Sequence, residues 1–177
     1  MTQAMSLPGC CTENDPPKDL WIVALGNDCR GDDALGPLLI ERLQTRFDFP
    51  DIDYSWHYLL CIEDALSLPD YAHVLFIDAS VTQQTAFKIQ PLQASLTTNM
   101  GSHALTPAEL LQVYFQHVKN NTQTSPEVWL LQVQACQFEL GCDLSPTAHH
   151  ALEEAWEFLS QGLGAYIILL LLYRFWI

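Results

Sequence analysis

Basic residues are scarce in this sequence of 177 residues: seven lysines and arginines stand against 21 aspartates and glutamates, giving a formal net charge of −14. So acidic a surface repels phosphate backbones and anionic lipid headgroups. We therefore expect neither nucleic acid nor a membrane surface as a partner. Cations and basic peptide segments suit the chain better.

Cysteine pairs of the CxxC kind are also missing, although the chain contains six cysteines. Their absence argues against a structural zinc site. The start of the sequence lacks the charged-then-apolar pattern of a signal peptide, so we interpret the cysteines as reduced thiols of a cytoplasmic protein. The longest apolar run falls well short of the roughly 20 residues that span a bilayer as a helix, so no membrane span is predicted.

What is present is a composition typical of one globular domain, with 49% hydrophobic and 16% charged residues. We assign residues 1–18 to a flexible leader, because this stretch is rich in Pro, Ser, Thr and Gly and has no apolar period. Residues 19–161 form the single α/β domain, and residues 162–177 form an apolar C-terminal tail of unknown role. The default oligomeric state is a monomer.

Apolar runs and helical periodicity alternate along the domain. Five segments have the composition of strands: 20–25, 52–60, 72–77, 87–92 and 127–135. Four segments have helical spacing or caps: 32–47, 62–68, 106–118 and 146–159. Pro91 places the fourth strand at a sheet edge or at its own end. The alternation predicts an α/β three-layer sandwich, with a mostly parallel twisted sheet between helices.

The loop GNDCRGDDALG, residues 26–36, follows the first strand, where a nucleotide-binding protein would carry a phosphate loop. It has neither the lysine nor the hydroxyl of GxxxxGK[ST], and two adjacent carboxylates would repel an anion. In open α/β sheets, ligands bind outside the carboxyl ends of the strands. Asp33, Asp78 after the third strand and His103 before the next helix could therefore meet at one edge.

Two carboxylates and an imidazole suit a transition ion such as nickel or zinc, with positions left open for a substrate. The same residues also have ordinary structural interpretations, with Asp33 as a helix N-cap and His103 as a solvated or structural histidine. Cys29 could be a nucleophile paired with His103. Its acidic neighbours would raise the thiol pKa and oppose the thiolate, which argues against that alternative.

Three motifs in order then carry a family resemblance: GN-x4-DD-x2-G at 26–36, IDAS at 77–80 and SHALTPAELL at 102–111. In these motifs the chain resembles the hydrogenase maturation endopeptidases, which process the large subunit of nickel-iron hydrogenases. The resemblance runs from about residue 20 to about residue 159.

The resemblance implies a cytoplasmic peptidase that recognises nickel in the large-subunit precursor and removes a C-terminal extension. Carried over to this sequence, the metal-contacting positions are Asp33, Asp78 and His103, and the nickel would arrive with the substrate rather than stay permanently bound. Asp33 and Asp78 would be the catalytic residues of an aspartyl-type peptidase, and Asp32 would order the loop. Whether a carboxylate activates the water or the metal polarises the carbonyl stays open.

The sequence leaves two alternatives to the peptidase open. A non-catalytic nickel chaperone or sensor for hydrogenase assembly would use the same three ligands and leave the precursor uncut. An α/β scaffold would use its loop aspartates only to cap helices.

Overall fold

The structure of the protein is a computed structural model that describes residues 17–95, 105–119 and 125–175, with side chains as far as residue 166. The sequence predictions for His103 and for residues 1–16 of the leader lie outside the described residues.

One five-stranded sheet, in the order β2-β1-β3-β5-β4, forms the centre of the fold. Its strands are β1 Lys18–Leu25, β2 Ile52–His57, β3 Tyr71–Ser80, β4 Phe87–Pro91 and β5 Glu127–Gln134. The first three neighbouring pairs are parallel, and β4 joins β5 in antiparallel register. This confirms the predicted mostly parallel sheet and the edge position of the strand that contains Pro91.

Helices cover both faces of the sheet, as the three-layer prediction requires. The helical elements are α1 Leu35–Arg46, a 3-10 helix Ile62–Asp70, α2 Pro107–Val113 with a π turn Tyr114–Val118, and α3 Pro146–Phe175. The apolar sides of α1 and α3 belong to one buried cluster, and those of the 3-10 helix and α2 belong to the other. In α1, Leu35, Leu39 and Leu43 recur every four residues and are fully buried, as helical periodicity dictates.

Capping interactions explain why α2, on the second face of the sheet, begins at Pro107. Thr106 precedes α2, and its hydroxyl accepts from the Glu109 N–H at 3.3 Å while the Glu109 carboxylate accepts from the Thr106 N–H at 2.8 Å. This is the capping box expected from the sequence, and Pro107 occupies the first helical position.

Several predicted boundaries need correction. The second strand ends at His57 rather than at residue 60, because the chain turns away and Leu60 instead forms a bridge to Leu105. The third strand runs on to Ser80, so Asp78 lies inside it and pairs with Gln132 instead of following the strand end. β1 already begins at Lys18, the last residue of the predicted leader.

The last helix continues through residue 161, where the predicted domain ends, as far as Phe175. Leu163 is buried in the same core cluster as α1, and the Tyr166 ring meets the His73 ring edge-on at 6.2 Å. The first turn of the predicted apolar tail therefore packs on the domain. Among the described residues, no helix is long and apolar enough to cross a membrane.

Candidate functional site

The carboxyl ends of β1, β2 and β3 bring the loop after β1 next to the end of β3. Leu25 pairs with His57, and Ala24 pairs with Ile77, so Leu25 and Asp78 directly follow paired positions on neighbouring strands, and Gly26 comes next in the loop. A Cβ at Gly36 would lie 2.4 Å from the Leu25 carbonyl oxygen and 3.4 Å from that of Ile77. Only glycine lets the start of α1 sit this close over both strand ends.

Gly26 shapes the loop itself. Its φ of +133° is a conformation that side chains disfavour, and a Cβ there would lie 2.1 Å from the Asp33 carbonyl oxygen. The next residue closes an Asx turn, because the Asn27 side-chain oxygen accepts from the Cys29 N–H at 2.9 Å. The loop is therefore folded tightly back on itself, with Asp33 against Gly26.

Asp32 is buried, with 0% of its surface exposed, and its carboxylate is saturated with hydrogen bonds. The backbone N–H of Cys136, Gln137 and Ser145 donate to it at 2.7, 3.2 and 2.6 Å, and the Ser145 hydroxyl donates at 2.8 Å. Burial alone would raise its pKa, but these bonds to the ionised form together lower the pKa of Asp32. Asp32 thus ties the loop to the segment before α3, in the ordering role expected from the sequence.

Asp33 and Asp78 are brought together at the carboxyl edge of the sheet. The turn that contains Asp33 contacts β3, and the Asp33 carboxylate accepts from the Asn27 N–H at 2.9 Å. Burial, with a further contribution from the charge of Asp33, raises the pKa of Asp78 to about 6. Two carboxylates that repel each other in a partly buried site form a pair that a cation would stabilise.

The capping interpretation of Asp33 is wrong. The N-cap position of α1 is Ala34, which has no side-chain cap, and Asp33 instead lies in the short 3-10 turn Gly31–Ala34 before the helix. Its carboxylate bonds back to Asn27 rather than forward to a helix N–H. Asp33 therefore faces the strand ends and not the helix that follows.

The third predicted ligand, His103, lies outside the described residues. Leu105, two positions later in the chain, donates its N–H to the Leu60 carbonyl oxygen at 3.0 Å. Among the residues that the structure describes, no group of three His, Cys, Asp or Glu side chains could hold a metal ion. The described part of the predicted ligand set is the pair Asp33 and Asp78.

The Cys29 thiol is not activated. It is exposed, and its pKa is raised by a hydrogen bond to the Asp28 side chain and by the Asp28 charge. A nucleophilic cysteine needs its pKa lowered, so the structure agrees with the sequence-based argument against this alternative.

Two aromatic residues that were not predicted from the sequence, Trp56 and Tyr58, also hold the loop after β1. The Trp56 indole N–H donates to the Gly26 carbonyl oxygen at 2.8 Å, and the Tyr58 hydroxyl donates to Asp28 at 3.3 Å. Asp28 and Trp56 also line a groove of about 600 Å³ beside the start of α1. The only sequence signal was an unusual cluster of aromatic residues, WHY, at the end of the second strand.

Comparison with known proteins identifies the fold. The chain superimposes on the hydrogenase maturating endopeptidase HybD from Escherichia coli with a TM-score of 0.63 and 20% identity, over 84% of this chain and 93% of the other. It superimposes on the [NiFe] hydrogenase maturation protease HycI from Thermococcus kodakarensis KOD1 with a TM-score of 0.60 and 20% identity, over 81% of this chain and 91% of the other. For the hydrogenase 2 maturation peptidase from Thaumarchaeota archaeon SCGC_AB-539-E09, the TM-score is 0.58 and the identity 20%, over 83% of this chain and 99% of the other. The chain has the hydrogenase maturation protease fold.

No protein-family model matches the sequence, and no curated protein matches it significantly. The maturation protease fold is thus shared with these proteins at a sequence identity too low to transfer their activity. It covers nearly the whole of each of the three, and it agrees with the α/β sandwich predicted from the sequence.

Proposed function

We propose that the protein is an endopeptidase that recognises nickel in the precursor of a nickel-iron hydrogenase large subunit and removes its C-terminal extension. The observation that carries the proposal is the acidic pair: Asp33 lies against the end of β3, and burial with the Asp33 charge raises the pKa of Asp78 to about 6. The shared fold supports the same activity class. The hydrogenase precursor is proposed as the substrate because three sequence motifs resemble those of the hydrogenase maturation endopeptidases. The cytoplasm is the proposed location.

The chemistry of the donors fits a cation that comes with the substrate. Two carboxylates and the imidazole of His103 are ligand types that nickel accepts, and three protein ligands leave positions open for groups of the precursor. A cation between Asp33 and Asp78 would remove their mutual repulsion and keep both ionised at neutral pH. Metallation of the precursor then becomes the condition for productive binding.

Asp78 is also suited to proton transfer. In the protein without nickel, a carboxyl group with a pKa of about 6 is mostly ionised at pH 7. It can accept a proton from the attacking water and return it to the leaving amine more readily than an unperturbed aspartate. Asp33, held by the Asn27 N–H, would orient the water or the substrate-borne nickel. The protein thus contributes ligand geometry and a tuned base.

The alternative is a nickel chaperone or sensor with the same ligands and no peptidase activity. The test is to mix the purified protein with nickel-loaded precursor and follow the mass of the precursor. Release of a C-terminal peptide supports the endopeptidase. Stable binding to an uncut precursor would instead support the chaperone, and absence of both would contradict either function.

A further inference from the structure

Exposed hydrophobic side chains are concentrated in one short segment beside the candidate site. Eleven large hydrophobic side chains are exposed among the described residues, and five of them lie between residues 56 and 66. They are Trp56, Tyr58, Leu59, Ile62 and Leu66. We call these five residues the apolar shelf. Such a local concentration of exposed apolar side chains points to an interaction surface, whereas singly scattered apolar residues need no explanation.

One end of the apolar shelf is fixed to the loop that carries Asp33. The Trp56 indole donates to the Gly26 carbonyl oxygen at 2.8 Å, and the Tyr58 hydroxyl donates to Asp28 at 3.3 Å. The two rings also contact each other, with centroids 5.2 Å apart. A partner peptide that covers these two rings would lie directly beside the loop that carries Asp33.

The middle of the apolar shelf is fixed to the start of α2. Leu60 is buried, and its carbonyl oxygen accepts from the Leu105 N–H at 3.0 Å. Asp64 then fixes the following turn, because its carboxylate accepts from the Cys61 N–H at 2.8 Å. The shelf is therefore braced on two sides and needs little ordering when a partner binds, which favours affinity.

The charge around the apolar shelf selects the kind of partner. Asp28 and Glu63 are exposed next to its residues, and the whole chain carries a net charge of −14. Acidic side chains around apolar ones complement a segment that combines large apolar with basic side chains.

We propose that the apolar shelf binds the polypeptide of the precursor next to its scissile bond, through large apolar side chains flanked by basic ones. The inference rests on the proposed function and deepens it. Nickel would report that the precursor is loaded, and the shelf would hold the peptide chain in reach of Asp33 and Asp78.

The test compares Leu59→Asp and Leu66→Asp with Leu140→Asp. All three leucines are highly exposed, at 64%, 63% and 74%, so the substitutions disturb no core. Leu140 lies outside the apolar shelf, in the turn whose Gly141 N–H donates to the Cys29 carbonyl oxygen. Biolayer interferometry with nickel-loaded precursor gives Kd, and cleavage at saturating precursor gives the maximal rate.

We expect each shelf variant to raise Kd by at least about fivefold, as loss of a central apolar contact does. The maximal rate should stay within about twofold, because the acidic pair is untouched, and Leu140→Asp should resemble the wild type. A smaller rise in Kd would overturn the proposal. So would a wild-type dimer that the shelf variants convert to monomers in sedimentation, since the shelf would then bind a second copy.

The two proposals fail separately in this experiment. If the wild type binds the precursor without cutting it, the endopeptidase function fails, while the Kd comparison still decides whether the shelf is the binding surface. If the wild type does not bind the precursor at all, both are contradicted.

Discussion

Asp32 and Asp33 are adjacent in the chain and have opposite surroundings. The Asp32 carboxylate is fully buried and accepts four hydrogen bonds, and these lower its pKa. Among the described residues, the Asp33 carboxylate accepts one, from the Asn27 N–H, and it lies near Asp78, whose pKa is raised to about 6. A carboxylate saturated by the protein holds the fold together, whereas one left with free acceptor capacity beside a second carboxylate is available for chemistry.

The largest effect should come from the acidic pair. Asp33→Asn and Asp78→Asn should each lower the cleavage rate of nickel-loaded precursor by about a thousandfold or more, because each removes a proposed metal ligand or base. His103→Ala should do the same if the third ligand is assigned correctly. The matched control is Asp48→Asn, an exposed aspartate between α1 and β2, which should cleave like the wild type. Full activity in any of the three site variants would show that its residue is misassigned.

The next largest effect should be structural. Asp32→Asn places an amide N–H₂ among donors and should lower the free energy of unfolding by about 2–4 kcal/mol. Urea unfolding, with Asp48→Asn as the reference, measures it. An unchanged midpoint for Asp32→Asn would mean that the hydrogen bonds to Ser145 and Cys136 contribute little.

Replacement of Asp78 should change the free energy of unfolding in the opposite direction to replacement of Asp32. Because its pKa is raised in the folded state, ionising it costs stability, so its favourable contribution is complete below pH 4 and is lost as pH rises through about 6. Asp78→Asn should therefore stabilise the protein by about 1–3 kcal/mol at pH 7, and much less at pH 4. Asp32, with its lowered pKa, stabilises above pH 4 and loses this effect in stronger acid. Thermal unfolding at pH 4 and pH 7 separates the contributions of Asp78 and Asp32. Destabilisation by Asp78→Asn at pH 7 would contradict repulsion between Asp33 and Asp78.

Titration of Asp78 should also appear in the pH dependence of cleavage. In the proposed mechanism, protonation of Asp78 in the free protein competes with nickel and removes the base, so kcat/KM, which follows the free protein, should fall about tenfold for each unit below pH 6. Rates between pH 5 and 8 measure the profile, after stability at each pH has been checked. A flat profile down to pH 5 would indicate that Asp78 does not need to be ionised.

The smallest effect should come from the Asx turn. Asn27→Ala removes the acceptor for the Cys29 N–H but keeps the backbone N–H that Asp33 accepts, so it should cost only about 1 kcal/mol of stability. Cleavage should fall by less than about tenfold. A loss as large as that of Asp33→Asn would mean that the side chain of Asn27 itself takes part.

The sequence predicted the sheet, its edge strand and the capping box of α2, because apolar runs, Pro91 and the Thr106–Glu109 spacing act locally. It did not predict that Asp32 would bond to residues more than 100 positions away, or that Trp56 would hold Gly26. Such contacts depend on how distant segments meet and leave no periodic signal. The end of β3 was missed for the same reason, since pairing with β5 extends the strand past Asp78.

In the proposed function, the acidic pair detects nickel in a hydrogenase precursor before the peptide is cut. The most direct test of this step is a side-by-side cleavage assay on nickel-loaded and metal-free precursor, followed by intact mass. We predict that the wild type releases a C-terminal peptide from the loaded precursor alone, and that Asp33→Asn releases it from neither. Equal cleavage of the metal-free precursor by the wild type would contradict the account.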